Sequence, residues 1–204
     1  MDTYRNFVEL KKGEREGIDF CICVVPRGNA TTVVLAPHGG GIEAGTSEVA
    51  RKIAENDLSL AILEGRKSRG NARLHIMSTN FDEPRCLKLV RSANNVVAVH
   101  GEVSEEPIVF LGGRDKELGR HIRVALERHG YNVMIHQNSG LHGISPANIC
   151  NRGTRGMGAQ LELSRGLRKT FFESLNTQGR RKPTDELAKF SDALREGLRD
   201  AGAL

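Results

Sequence analysis

Apolar positions along the chain fall into short β-branched runs, separated by stretches in which they recur every three or four residues. Residues 18–25 and 31–36 (Thr-Thr-Val-Val-Leu-Ala) read as strands, as do 58–63, 95–99, 108–111, 131–135 and 159–163. Between them, 46–56 predicts a helix with Val49, Ala50, Ile53 and Ala54 on one face and Thr46 or Ser47 as its N-cap. Pro84 opens a helix over 84–93, and Gly130 ends one over 115–129. An amphipathic helix over 183–201 follows the basic linker Gly179-Arg180-Arg181-Lys182. This alternation predicts an α/β fold over residues 1–204: a single-domain, twisted, mostly parallel or mixed sheet flanked by helices. In such sheets ligands gather at the carboxyl ends of the strands.

Two of those ends carry chemistry. The strand over 31–36 runs into Pro37-His38-Gly39-Gly40-Gly41-Ile42-Glu43, just ahead of a helix. Three glycines permit a sharp turn, which would fold Glu43 back beside His38 and offer one ion a nitrogen and an oxygen. A phosphate-cradling turn is the rival reading, but the Lys-Ser/Thr of a P-loop is missing. An esterase oxyanion loop would need a Gly-x-Ser-x-Gly that does not follow, and a purely structural turn also fits. The strand over 95–99 then delivers His100 to an equivalent position before Gly101. A His, Glu and His set is a known catalytic zinc arrangement with a fourth position open.

In Ala159-Gln160-Leu161-Glu162-Leu163, alternation puts Glu162 on the opposite face from Leu161 and Leu163. A carboxylate there needs a partner or a task. The partner reading is an ion pair with Arg165 or Arg152; the task is that of a general base. His75, Thr79 and Asn80, in the polar stretch 74–84, are candidates to line a pocket. His75 is also a spare metal ligand.

Charge and composition narrow the partner. The chain carries a net charge of +5 with a pI near 9.2, which favours an anionic partner. Aromatics make up 4% and Trp is absent, arguing against base-stacking platforms and so against nucleic acid. No run approaches membrane-spanning length. The polar start Met1-Asp2-Thr3-Tyr4 predicts synthesis without a signal peptide. Cys21, Cys23, Cys86 and Cys150 are scattered, signalling free thiols rather than a thiolate metal site. Basic residues cluster at 66–73 and again at Arg152, Arg155, Arg165, Arg168 and Lys169. Either they form a solvated face, or they line a trough for carboxylates, which Arg pairs bidentately.

Residues 36–48 (Ala-Pro-His-Gly-Gly-Gly-Ile-Glu-Ala-Gly-Thr-Ser-Glu), 78–84 (Ser-Thr-Asn-Phe-Asp-Glu-Pro) and 99–101 (Val-His-Gly) resemble the phage-type poly-γ-glutamate hydrolase family. The likeness runs in order over roughly residues 15–170. It implies a zinc carboxypeptidase-like fold, one zinc ion bound by His38, Glu43 and His100, and Glu162 as the base that activates water. It also implies endo-type cleavage of γ-glutamyl amide bonds in an anionic capsule polymer, with release at host lysis. Four residues separate His38 from Glu43, where carboxypeptidases have two, so exopeptidase specificity does not transfer. Arg152 and Arg155 are the candidate substrate-binding arginines, and a monomer is expected. Two rivals stand beside this reading. One is a zinc amidohydrolase for a small N-acyl amino acid, which calls for a closed pocket. The other is a polyanion-binding module without catalysis, which leaves His38, Glu43, His100 and Glu162 without roles.

Overall fold

A computed structural model describes residues 2–204. Among these residues, seven strands form one mixed sheet: β1 (Phe20–Val25), β2 (Thr32–Gly40), β3 (Ser59–Gly65), β4 (Asn95–Gly101), β5 (Ile108–Gly113), β6 (Asn132–Met134) and β7 (Ala159–Leu163). Their spatial order is β1-β3-β2-β4-β7-β5-β6. The central strands β3, β2, β4 and β7 run parallel. β1 is antiparallel to β3 at one edge, and β5 reverses beside β7 with β6 parallel to it. The α/β class, the mixed sheet and the flanking helices are as the sequence predicts.

Helices α1 (Phe7–Gly13), α2 (Thr46–Ala54), α3 (Pro84–Ser92), α4 (Lys116–Arg128), α5 (Arg165–Thr170) and α6 (Asp185–Asp200) complete the chain. On one face of the sheet, Val34, Val97, Val99 and Leu161 pack with Val49 and Ile53 of α2, Ile122 of α4, and Phe190 and Leu194 of α6. On the other, Val33, Leu35, Val96 and Ala98 pack with Leu10 of α1, Val90 of α3, and the loop residues Leu74, Ile76 and Phe81. Central strands covered on both faces read as unbroken β-branched runs, which is why β2 and β4 were plain in the sequence. α1 and α5 escaped because seven and six residues, mostly charged or small, show little periodicity.

The glycine run departs from expectation. Gly39 and Gly40 do not turn; they extend β2 beyond a bulge and pair with Glu64 and Gly65 of β3. A Cβ on Gly39 would lie 2.2 Å from Ser47 Oγ, and one on Gly40 (φ +65°) 2.4 Å from Gly65 O. Close approach of neighbouring segments, more than turning, calls for glycine there. Thr46 and Ser47 do not cap α2 either, since Gly45 (φ +100°) is its N-cap. Their hydroxyls hold the preceding loop instead: Ser47 Oγ accepts from Gly40 N at 2.8 Å, and Thr46 Oγ1 donates to Glu43 O at 2.9 Å.

β2 and β4 pair only from Thr32↔Asn95 to Leu35↔Ala98. Beyond that register they diverge, opening a cleft at their carboxyl ends. Among the described residues no helix is long and apolar enough to cross a membrane, and all four cysteines are free.

Candidate metal centre and active site

The divergence of β2 from β4 leaves His38 and His100 side by side at its mouth, edge to face, with ring centroids 5.0 Å apart. Both are buried, at 2% and 3% exposure. His38 Nε2 donates to Ile76 O at 2.7 Å, leaving Nδ1 as the nitrogen that faces the cleft. That Nδ1 lies 3.1 Å from Glu43 Oε1 and 3.2 Å from His100 Nδ1. The loop after β2 closes through Glu43 N donating to His38 O at 2.9 Å. Gly101 N then donates to Glu43 Oε2 at 2.8 Å, and His100 Nδ1 lies 3.7 Å from the same oxygen. Burial works to raise the Glu43 carboxyl, but His38, His100 and the Gly101 amide outweigh it and hold the group at about 2. His38 is raised: burial opposes protonation, and the Glu43 carboxylate more than offsets it. Burial drives His100 down to about 3, so it stays neutral.

The donor set suits a tetrahedral cation. Zinc bonds of about 2.0–2.2 Å set neighbouring donor atoms roughly 3.3 Å apart; here His38 Nδ1 lies 3.2 Å from His100 Nδ1 and 3.1 Å from Glu43 Oε1, while His100 Nδ1 approaches the other carboxylate oxygen, Oε2, at 3.7 Å. Ile76 fixes the His38 tautomer, as outer partners of metal-ligating histidines do. His100 Nε2, in contrast, is buried without a hydrogen-bond partner. His75 stacks on His38 with centroids 3.9 Å apart. Its Nδ1 donates to Asp2 Oδ1 at 2.9 Å, and its Nε2 lies 3.8 Å from Glu43 Oε1. His38, Glu43 and His75 therefore also form a compact donor set, with one atom of each within 4.8 Å of the others. His100 Nδ1 also approaches His38 Nδ1, at 3.2 Å, so His75 and His100 are both candidates for the third donor.

Glu162 stands beside this group because β4 and β7 are parallel with His100↔Glu162 in register. Gln160 and Glu162 share the cleft face of β7, while Ala159, Leu161 and Leu163 enter the core. Burial first, then the charges of Glu43 and Glu102, push the Glu162 carboxyl up to about 9. His38, Glu43, His75, Thr79, His100 and Glu162 all line one cavity of about 320 Å³. Buried histidines, one depressed and one elevated carboxylate, and a strand-end cleft form the pattern of a hydrolytic centre.

Comparison with known proteins agrees. The profile of the family described as "Poly-gamma-glutamate hydrolase" matches residues 4–193. The chain belongs to the poly-gamma-glutamate hydrolase family. Two Bacillus subtilis (strain 168) proteins, YndL and YmaC, are each 39% identical to this family member over 88% of its length, which spans 70% and 76% of theirs. A solved bacteriophage poly-gamma-glutamate hydrolase superposes with a TM-score of 0.94 at 30% identity, over 98% of both chains. A zinc-free apo form of YndL gives 0.92 at 35% identity, again over 98% of both. A putative metallopeptidase from Shewanella denitrificans, 11% identical with a TM-score of 0.51 over 94% of this chain and 83% of its own, shares the fold.

Not every expected residue reaches the cavity of this hydrolase-family chain. The Arg152 guanidinium is spent on backbone carbonyls, donating to Thr79 O (2.7 Å), Ala147 O (2.8 Å) and Phe81 O (3.1 Å). It braces the loop that carries Thr79. Arg155 donates to Asp115 Oδ2 and to Oδ1 of Asn95, the first residue of β4, at the opposite end of that strand from His100. Neither Arg152 nor Arg155 lines the cavity. Asn80 is exposed and lies outside the cavity lining.

Gln160, which sequence reading did not single out, and Arg168, read there only as part of a basic cluster, support the candidate site instead. Gln160 Nε2 donates to Glu162 Oε1 at 3.0 Å, while Gln160 Oε1 accepts from Asn148 Nδ2 at 2.9 Å. The two-residue spacing from Glu162 was the available signal. Buried Arg168 donates to Ala44 O (2.6 Å), Glu102 O (2.7 Å) and Leu163 O (3.0 Å). One guanidinium thus ties together the segments that follow Glu43, His100 and Glu162. A Cβ on Gly101 would sit 2.8 Å from Arg168 Cζ, so glycine leaves room for that clamp.

Proposed function

We propose that this protein hydrolyses γ-glutamyl amide bonds within poly-γ-glutamate, with one zinc ion held by His38, Glu43 and His100 and with Glu162 as general base. The observation that carries the reading is the convergence of His38 and His100, at the ends of neighbouring parallel strands, with Glu43 of the loop after β2, beside Glu162 on the next strand, in a chain of this family. A bound zinc ion would polarise the scissile carbonyl and lower the pKa of the attacking water toward neutrality.

The chain's own residues do the rest. Glu162 is held protonated by burial and by Glu43 and Glu102. It acts as a base where added positive charge offsets those two carboxylates. Gln160 fixes Oε1 of Glu162, leaving Oε2 to take a proton from water and return it to the leaving amine. Glu43, already ionised at about 2, has no proton to shed on binding a cation. His38, which holds a proton more tightly than an ordinary histidine, would have to give it up to bind a cation, coupling metal uptake to pH.

The test is the size distribution of high-molecular-weight poly-γ-glutamate after incubation, with and without a zinc chelator. Shortening to oligomers that stops on chelation and returns with zinc is expected. Unchanged polymer with zinc confirmed in the protein would refute the reading and direct attention to small N-acyl amino acids. Against that alternative, the cavity is not sealed, for Glu43, Gly101 and Val103 also line an adjoining groove of about 760 Å³.

A further inference from the structure

The adjoining groove has no role in the chemistry above. Its lining mixes three kinds of surface. Arg165 and Lys169, on α5, project from the same helix into it, with side chains 52% and 48% exposed. They share one counter-ion: Glu105 Oε1 accepts from Arg165 at 2.5 Å and Glu105 Oε2 from Lys169 at 2.7 Å. One carboxylate against two cations leaves positive charge at the rim. Among the described residues lining the groove, the acid other than Glu43 is Glu173, which pairs with Lys182 at 2.7 Å. Ile42 and Leu175 supply apolar surface, and Ser174 and Asn176 supply amide and hydroxyl groups.

A γ-linked glutamate repeat presents a matching mixture: two methylenes, one amide and one free α-carboxylate. We propose that this groove, rather than the Arg152 and Arg155 side, is the subsite for repeats flanking the scissile bond, and that Arg165 and Lys169 recognise their α-carboxylates. Substrate carboxylates would replace or share Glu105 as partner of the two cations, while the methylenes lie on Ile42 and Leu175. This assignment rests on the polymer-hydrolase reading and adds where the polymer runs.

The experiment is steady-state kinetics of the zinc-loaded protein on long poly-γ-glutamate and on a γ-linked glutamate dimer, which carries no repeats beyond the pair joined by the scissile bond. The Arg165→Gln/Lys169→Gln double variant should raise KM for the polymer about tenfold, the scale of two exposed charge pairs. It should flatten the salt dependence of that KM and leave kcat and the dimer kinetics unchanged. An Arg128→Gln/Lys189→Gln variant removes the same net charge from α4 and α6, remote from the groove, and should leave polymer KM near the wild-type value. Equal losses in both double variants, or wild-type KM in the first, would overturn the assignment. Failure of the wild-type, zinc-loaded protein to cut polymer at all is a different result; it refutes the proposed function and the groove assignment with it.

Discussion

Replacing Glu162 by Gln in the metal-free protein isolates the free energy of burying this carboxyl. In the folded chain it keeps its proton to about pH 9, against an ordinary value of 4.5. The unfolded chain releases that proton above 4.5. The stabilisation from the retained proton is complete below 4.5 and is lost as pH rises toward 9. Each pH unit in that window removes about 1.4 kcal/mol. Between pH 5 and pH 8 the wild type should therefore lose about 4 kcal/mol through this one group. Water entering the cavity would reduce the figure. Glu162→Gln keeps the shape and carries no proton to lose, and its amide oxygen can still accept from Gln160. The two proteins should thus be nearly equal in stability at pH 5, with the variant ahead by about 2–4 kcal/mol at pH 8. For a chain of this size that gap is roughly 5–15 °C in Tm. The measurement is urea unfolding of chelated wild type and variant at both pH values. Subtraction cancels His38, His100 and Glu43, which both proteins share. A stability difference that does not change between pH 5 and pH 8 would refute the buried-acid argument.

Three further outcomes follow from the same geometry. His38→Ala and His100→Ala should each abolish stoichiometric zinc uptake by elemental analysis, whereas His75→Ala should retain one zinc per chain. Loss of zinc on removing His75 and not His100 would reverse the assignment of the third donor. Arg168→Lys should weaken zinc affinity in chelator competition by about ten- to a hundredfold, the usual scale for partners of metal ligands, with far-UV circular dichroism unchanged; equal affinity would show that the clamp on Ala44, Glu102 and Leu163 does not position the donors. Glu162→Gln loaded with zinc should bind the metal normally but lose turnover by about 10²–10⁴-fold, as expected of a missing general base, and full activity would end its assignment to that role.

What the sequence disclosed and what it hid divide along a physical line. The candidate donors His38 and His100 were legible because each terminates a hydrophobic run, and strand ends in a parallel sheet share one edge. Glu162 was legible for a related reason: period-two alternation isolates an acid between Leu161 and Leu163. Its neighbour in register, His100, depends on β4 pairing with β7 across more than fifty intervening residues, and no local pattern encodes that pairing. The arginines were less legible because a guanidinium carries the same charge whether it faces solvent, substrate or a carbonyl. Arg152, Arg155 and Arg168 all read as basic cluster. Their donors are taken up by Thr79 and Phe81 carbonyls, by Asp115, and by the carbonyls behind the candidate site. Burial separates these cases: Arg168, at 5% exposure, can serve as a clamp. Arg165 and Lys169, half exposed and sharing one carboxylate, remain free to meet an incoming one. Charge count pointed to an anionic partner; the hydrogen-bond inventory decides which cations are left to receive it.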